Sequence, residues 1–367
     1  MGSRAVCPGV AIIVPSDRAR HDALPAALPD ARPLELTPER GPAAGAAASG
    51  GPYARRVTMP PARRAVELVV GAAATAMRRA QNRLGKALRD RVAGQDAPEA
   101  AKRIWQTPGP RWFAEDDPIW IVNQDAAMFP GGIASLLLQS LHPQAMAGVA
   151  GHSGYKGDPW GRLQRTSHYL ATVTFGTIEH ATEAIDHVRG IHERVRGKDH
   201  LGRPYRASDP HLLRWVHVAE TWCFLAAHQA YSDRPLTPDQ ADLFVDQARK
   251  SGEMLGGTGL PRTVAELDAQ LEAFRPELVA SPAAKEAAEF LLKEPPLPLA
   301  AKPGYALLAA GGIALLPDWA RGELDIRMPA FARPVARGAG RFGVAAVRWG
   351  MAGLDDDERL RHGDTPH

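Results

Sequence analysis

Cysteine is scarce in this chain, and its scarcity excludes several kinds of site. The 367 residues include two cysteines, Cys7 and Cys223, which lie far apart in the sequence. A disulfide framework is therefore not expected, and Cys223 is interpreted as a buried thiol within a helix. Since no CxxC or CxxCH motif occurs, zinc fingers and covalent attachment of a c-type haem are also excluded.

Long apolar runs and a charge excess of one sign are also missing. No segment reaches the roughly 18 apolar residues that a membrane-spanning helix needs, and the apolar run at 10–15 is too short for a signal peptide. The formal net charge is only +3, from 44 basic and 41 acidic residues. This balance gives no reason to expect a nucleic-acid partner. We expect a soluble, cytoplasmic protein, and the sequence leaves its oligomeric state unknown.

Composition divides the chain into four parts. Residues 1–60 are rich in Ala, Pro, Gly and Arg without periodicity, which predicts a disordered arm or an arm mis-annotated upstream of Met59. Residues 61–103 contain a basic amphipathic helix, which suits peripheral membrane contact, a partner protein, or an ordinary solvated surface. Residues 104–333 predict a globular domain, and the Gly/Arg-rich segment 334–367 predicts a mobile C-terminal tail.

Helical periodicity dominates the globular part. Hydrophobic residues make up 45% of the chain, and no alternation of period two is sustained anywhere. The fold class predicted is therefore all-α. Thr177 and the pair Asp209–Pro210 are typical helix starts, and Gly197 is typical of the residue after a helix end. The helix that follows Thr177 is therefore predicted to end at Arg196.

The helix predicted after Thr177 carries a histidine on its apolar face. His192 lies four residues after Val188 and three before Val195, so the three side chains share one stripe. An imidazole among aliphatic side chains can coordinate haem iron through Nε2, with the valines packed against the porphyrin. Arg196, one turn later, suits a haem propionate or the helix end. A satisfied core histidine is the plainer interpretation of the same pattern.

A second polar cluster opens the preceding helix. Arg162 lies three residues before Arg165 and four before Thr166, so the cluster lies on one side of the first turns. Two guanidinium groups this close repel each other unless an anion or solvent separates them. They are candidates to hold propionates or to polarise dioxygen, with the Thr166 hydroxyl nearby. A solvent-facing basic turn is the alternative, although positive charge opposes the helix dipole there.

Several long motifs together resemble a known family. In chain order they are FPGGIASLLLQSLHPQAMAGVAGHS, DPWGRLQRT, IHERVRG, GRPYRASDPHLLRWVH and LLPDWARGEL. This set, from about Trp120 to Leu324, is similar to the rubber oxygenase (latex clearing protein) and mpaB-type oxygenase family. The resemblance implies a globin-related helical bundle that encloses a b-type haem, flanked by disordered N- and C-terminal extensions. It also implies dioxygen as co-substrate and an unsaturated, largely isoprenoid substrate.

The resemblance assigns roles to the two clusters. By position, His192 resembles the proximal iron ligand, followed in its motif by Arg196, while Arg162 and Thr166 match the arginine and threonine of the other motif. Arg165 stands where rubber-cleaving members have a lysine, and a guanidinium cannot ligate iron because it stays protonated. Rubber-cleaving members also use a distal glutamate, but no acid occurs between His142 and Lys156. Polyisoprene cleavage is therefore less expected than haem binding.

The function predicted for residues 104–333 is that of a haem b-dependent oxygenase. Its substrate is expected to be a small apolar molecule, such as an isoprenoid or a secondary metabolite, with Arg162, Arg165 and Thr166 acting on oxygen. A non-catalytic, globin-like carrier of haem or a lipophile would use the same residues. A di-iron carboxylate oxidase is a further alternative, but such a site needs Glu-x-x-His pairs, which the core of this chain does not contain. A structural helical protein without catalytic activity is another alternative. Among other histidines, His217 and His228 suggest a two-histidine haem bracket or simple core positions.

Overall fold

A computed structural model describes residues 61–92, 97–152 and 158–362 of the chain. The chain divides into one unit of residues 16–77 and a second unit that comprises residues 1–15 and 78–367. The arm predicted for residues 1–60 lies outside the described residues, and so does the centre of the glycine-rich loop before the Arg162 cluster. The described residues of the first unit are 61–77, and those of the second are 78–92, 97–152 and 158–362.

The described residues are predominantly helical, which confirms the predicted fold class. The helices are α1 (Pro61–Val92), α2 (Ala97–Ala101), α3 (Pro118–Gln124), α4 (Met128–Gln139), α5 (Pro143–His152), α6 (Pro159–Phe175), α7 (Ile178–His192), α8 (Pro210–Tyr231), α9 (Pro238–Met254), α10 (Val264–Phe274), α11 (Pro282–Lys293), α12 (Lys302–Leu315), α13 (Asp318–Glu323) and α14 (Ala332–His362). A short π-helical turn, Lys102–Gln106, follows α2. Two three-residue strands, β1 (Arg196–Lys198) and β2 (Pro204–Arg206), pair antiparallel as a hairpin.

Side chains at the helix starts explain where several helices begin. The Thr177 hydroxyl accepts a hydrogen bond from the His180 backbone N–H, and the Asp209 carboxylate accepts one from the His211 N–H at 2.8 Å. Each bond satisfies a backbone donor that has no partner within its helix. Pro210, the first residue of α8, has no N–H to satisfy. Both starts agree with the sequence prediction.

Helix α8 forms the centre of the core. It packs against α4, which in turn packs against α12, while α12 lies along α14. Trp215, Cys223 and Ala227 on α8 are completely buried, which confirms Cys223 as a buried thiol. Burial of aliphatic and aromatic side chains on this scale supplies most of the favourable free energy of folding.

Helix α14 forms from the segment predicted as a mobile tail. It packs closely on α12, because a Cβ atom added to Gly340 would lie only 2.7 Å from the Cα of Gly311. The Tyr231 hydroxyl donates a hydrogen bond of 2.7 Å to the Gly311 carbonyl at the same crossing. Glycine is suited to this position because the two backbones approach too closely for a side chain. At this crossing, the glycines of the Gly/Arg-rich segment allow the two helices to approach closely.

Helix α7 ends at His192, so the predicted end at Arg196 is wrong. Arg196 instead begins strand β1 and pairs with Arg206 of β2. A Cβ atom on Gly197 would lie 2.8 Å from the Tyr205 hydroxyl oxygen, so this glycine allows a side chain to cross the hairpin. The signal interpreted as a helix terminus is therefore a feature of hairpin packing.

Helix α1 confirms the predicted helix of the basic N-terminal region. In its second half, Gln81 donates a hydrogen bond of 2.8 Å to the Trp349 carbonyl of α14. Over the described ranges, no helix has both the length and the apolar character required to cross a membrane.

Candidate functional site

A cavity of about 340 Å³ lies among helices α4, α5, α6, α8, α9, α11 and α12. Most of its wall is aliphatic or aromatic, and this volume falls within the range of small-molecule and cofactor sites. Its larger polar side chains are Gln139, Gln144, Arg162, Thr166, Tyr169, His192, Tyr205, His217, Glu220 and Tyr305. A mostly apolar wall with a few polar groups is typical of a site that binds an apolar ligand in a defined orientation.

Helix α6 brings Arg162 and Thr166 to the cavity. The two residues are separated by one helical turn, so both face the same side, and Thr166 is buried. The helix start is held by Asp158, whose carboxylate accepts a hydrogen bond of 2.9 Å from the Gly161 N–H. Arg162 therefore adds a positive charge, and Thr166 a hydroxyl, to a wall that is otherwise largely apolar.

His192 reaches the same cavity from the end of α7. Its side chain is buried, and Val195, three residues later, also lines the cavity. Val195 belongs to a small apolar cluster with Ile191, Tyr205 and Leu212, which fixes the β1–β2 hairpin against α8. The turn that ends α7 therefore presents the imidazole to the cavity beside aliphatic carbon.

Three of the predicted site residues do not line the cavity. Arg165 forms an ion pair with Asp158, with 3.2 Å between Nη1 and Oδ2, and so joins the helix-start network. Val188 is buried in the main core. Arg196 is exposed on strand β1, because the helix that was expected to carry it ends at His192. The structure thus brings together Arg162, Thr166, His192 and Val195 and leaves the other three outside.

Glu220 is a cavity residue that the sequence prediction missed. It lies on α8, and its Oε2 atom is buried without a hydrogen-bond partner. Burial raises the pKa of this carboxyl from its ordinary 4.5 to about 7, although a hydrogen bond from the Gln139 side chain opposes the shift. Removing a carboxylate from water disfavours its charged form. Glu220 can therefore exchange a proton close to neutral pH.

Two further polar groups near Glu220 lack partners. The Tyr169 hydroxyl is buried without a hydrogen bond, and burial, with the Glu220 charge as a smaller cause, raises its pKa far above the usual range. His217 Nε2 is likewise buried without a partner, and burial lowers the pKa of this imidazole to about 4, with the Arg249 charge adding to the shift. His217 is therefore neutral at pH 7 and is a second imidazole available to a metal.

A sequence signal for these residues existed. Glu220 lies three residues after His217, within a helix that is otherwise strongly apolar, and a buried acid in such a stretch is expensive unless it has a function or a partner. The predicted pairing of His217 with His228 is not borne out at the cavity, because His228 does not line it. His228 instead forms a hydrogen bond of 3.1 Å with the Arg234 carbonyl.

Comparison with known proteins identifies the family of this chain. Searches of curated proteins and of solved structures found no match. A family model described as ER-bound oxygenase mpaB/B'/Rubber oxygenase, catalytic domain, matches residues 119–349. The matched range contains every side chain named above at the cavity and covers more than half of the sequence. The chain therefore belongs to the mpaB/rubber oxygenase catalytic-domain family, a family of oxygenases.

Proposed function

We propose that the protein is a haem b-dependent oxygenase that uses dioxygen to oxidise a small apolar molecule. The observation that carries this proposal is the single cavity to which α6 contributes Arg162 and Thr166 and the end of α7 contributes His192. Thr166 of the first cluster and His192 of the second are 26 residues apart in the sequence. Membership of an oxygenase family supports the reaction class.

The residues at the cavity suit a haem. A porphyrin needs a flat apolar environment, a ligand for its iron and positive charge or water for its propionates. His192 is buried beside Val195 and would be the iron ligand, while Arg162 is the cationic side chain of the wall and suits a propionate or an oxygen atom. Bound haem would supply redox chemistry with dioxygen that no side chain can perform.

Other side chains of the cavity would control protons and polarity. Arg162 and Thr166 can donate hydrogen bonds to an oxygen atom that gains negative charge, in surroundings where water competes little. Glu220 holds a proton at its carboxyl up to about pH 7 and can release it above that value. Tyr169 keeps its hydroxyl proton throughout the physiological range and can therefore donate a hydrogen bond there. Glu220 supplies an acid to the cavity, whereas the segment between His142 and Lys156 contains none.

The apolar part of the wall would receive the substrate. Helix α11 contributes Ala287, Phe290 and Leu291, and Leu308 comes from α12. These side chains offer dispersion contacts and no hydrogen bonds, so they favour a hydrocarbon or isoprenoid chain over a polar molecule.

Absorption spectra of two histidine variants test the proposal. Protein purified with haem, or reconstituted with it, is expected to show a Soret band that His192→Ala abolishes or shifts strongly. His217→Ala is the matched control, because it removes another buried imidazole from the same cavity. It is expected to retain the band.

Three results would contradict the proposal in different ways. If His217→Ala loses the Soret band and His192→Ala keeps it, the iron ligand is His217. If the wild-type protein binds no haem, the oxygenase does not depend on haem. Haem binding without consumption of dioxygen, tested with a panel of isoprenoids, would instead favour the globin-like carrier.

A further inference from the structure

A cluster outside the cavity has the donor set of a transition-metal site. His142 lies between α4 and α5, His211 is near the start of α8, and Glu277 is in a short 3₁₀ turn after α10. One ligand atom from each residue lies within 4.8 Å of the other two. These residues do not line the cavity, so the cluster is separate from the proposed haem site.

The distances within the cluster are close to those of a bound ion. His142 Nε2 lies 3.5 Å from Glu277 Oε2, and His211 Nε2 lies 2.8 Å from the same oxygen. Two ligands on one tetrahedral Zn²⁺ are separated by roughly 3.4 Å, given metal–ligand distances of about 2.1 Å. Around a bound ion, His211 Nε2 and Glu277 Oε2 would move apart, and the two imidazoles, whose ligand atoms lie within 4.8 Å of each other, would be drawn to the same ion. His211 and Glu277 are both partly exposed and can make this adjustment.

The buried imidazole of His142 is the observation that points to a ligand. Its side chain is 3% exposed, and neither ring nitrogen has a hydrogen-bond partner. A buried imidazole without partners is costly, because it has lost its hydrogen bonds to water. Its Nε2 faces the Glu277 carboxylate at 3.5 Å, which is longer than an ordinary hydrogen bond and close to the separation of two ligands on a shared ion.

We propose that His142, His211 and Glu277 form a binding site for Zn²⁺ or a divalent transition metal of the same class. Two imidazoles and one carboxylate suit such metals better than Mg²⁺ or Ca²⁺, which prefer oxygen ligands. The bound ion would join the α4–α5 corner, the start of α8 and the turn after α10.

Arg214 opposes metal binding and provides an internal check. Its Nη2 atom lies 3.1 Å from His211 Nδ1. Since a guanidinium can only donate, this bond requires a lone pair on Nδ1 and places the proton on Nε2. Metal binding through Nε2 requires the opposite tautomer, so Arg214 must move away. The Arg214 guanidinium also lies over the Phe274 ring, with 5.7 Å between Cζ and the ring centroid. It can keep this contact after its hydrogen bond to His211 is broken.

Isothermal titration of the full chain with Zn²⁺, after treatment with a chelator, tests the site. The wild type is expected to bind one ion at this site, and Glu277→Gln and His211→Ala are each expected to weaken binding at least tenfold. His142→Ala is expected to do the same. Arg214→Ala is expected to strengthen binding severalfold. His187→Ala, which removes an exposed histidine on α7, is the control for non-specific binding.

The partly exposed Glu277 keeps the test decisive even if the buried His142 variant does not fold. Zn²⁺ should raise the melting temperature of the wild type and of His187→Ala but not that of Glu277→Gln. The proposal is overturned if Glu277→Gln binds Zn²⁺ as tightly as the wild type, or if His187→Ala weakens binding as much as His211→Ala. Binding of Mg²⁺ in preference to Zn²⁺ would overturn it as well.

Discussion

Two pairs of polar groups on helix α8, one pair in each half of the helix, differ in whether they have hydrogen-bond partners. In the C-terminal half, the Tyr231 hydroxyl and His228 Nε2 are hydrogen-bonded to the Gly311 and Arg234 carbonyls. In the N-terminal half, Glu220 Oε2 and His217 Nε2 are buried without partners and line a cavity. Buried polar groups with partners hold elements together, whereas those without partners cost stability and mark places where a ligand acts.

The largest difference between the two halves should appear in the pH dependence of stability. The unfolded chain releases the Glu220 proton near pH 4.5, while the folded chain keeps it to about pH 7. The contribution of Glu220 to the free energy of unfolding is therefore fully present below pH 4.5 and is lost as the pH rises to 7. For His217 the folded pKa is about 4 against 6.5 unfolded, so its contribution is present above pH 6.5 and is lost as the pH falls to 4. Each amounts to about 3 kcal/mol.

Because these contributions oppose each other over nearly the same range, the wild type should hide both. We expect Glu220→Gln to make the free energy of unfolding rise by about 3 kcal/mol more than in the wild type between pH 4.5 and 7. We expect His217→Asn to make it fall over the same range. Urea unfolding at several pH values measures both slopes. Parallel profiles for all three proteins would show that neither group has a shifted pKa.

A smaller effect should distinguish two glycines of α14. A Cβ atom on Gly340 would meet the Gly311 Cα at 2.7 Å and the Tyr231 ring at 2.9 Å, whereas one on Gly338 would meet nothing within 4 Å. We expect Gly340→Ala to destabilise the protein by about 2 kcal/mol, because neither backbone can move aside without disturbing the core. Gly338→Ala should stabilise it by up to about 1 kcal/mol through helix propensity. Thermal unfolding of both variants checks the contrast, and equal shifts would contradict the close crossing.

The smallest effect concerns two buried tyrosine hydroxyls. Tyr231→Phe leaves the Gly311 carbonyl without its donor and should cost about 1 kcal/mol. Tyr169→Phe removes a hydroxyl that has no partner and should leave stability unchanged or slightly higher. Chemical denaturation of both variants tests whether the two regions differ as described. A loss in Tyr169→Phe as large as that in Tyr231→Phe would mean that the cavity hydroxyl is structural.

Local signals in the sequence predicted the helices and the starts at Thr177 and Asp209 correctly, but they predicted the end of α7 wrongly. Thr177 and Asp209 act through hydrogen bonds to residues two or three positions away, so their effect is visible in a short window. Gly197 contacts Tyr205 across the β1–β2 hairpin, and Gly340 contacts Gly311, which is distant in the sequence. Neither contact is visible in a short window of sequence. Composition alone therefore suggested a helix terminus and a mobile tail where the structure has close packing.

The same distinction applies to the cavity. Motif positions indicated Arg162, Thr166 and His192, and these residues do share one cavity. Arg165 was grouped with them because of its helical spacing from Arg162 and its position in the motif, but Asp158 holds it in an ion pair. Glu220 was missed because its position three residues after His217 does not show which side of α8 faces the cavity.

By itself, the sequence determined the all-α fold class, the family and the helix starts, because these depend on periodicity, motifs and contacts between near neighbours. Only the tertiary structure decided which polar groups face the cavity and which are partnered elsewhere. The reason is that the environment of a buried group depends on residues far away in the chain. Glu220 owes its raised pKa to enclosure by helices that pack around α8. His142, His211 and Glu277 meet only because the corner between α4 and α5, the start of α8 and the turn after α10 converge.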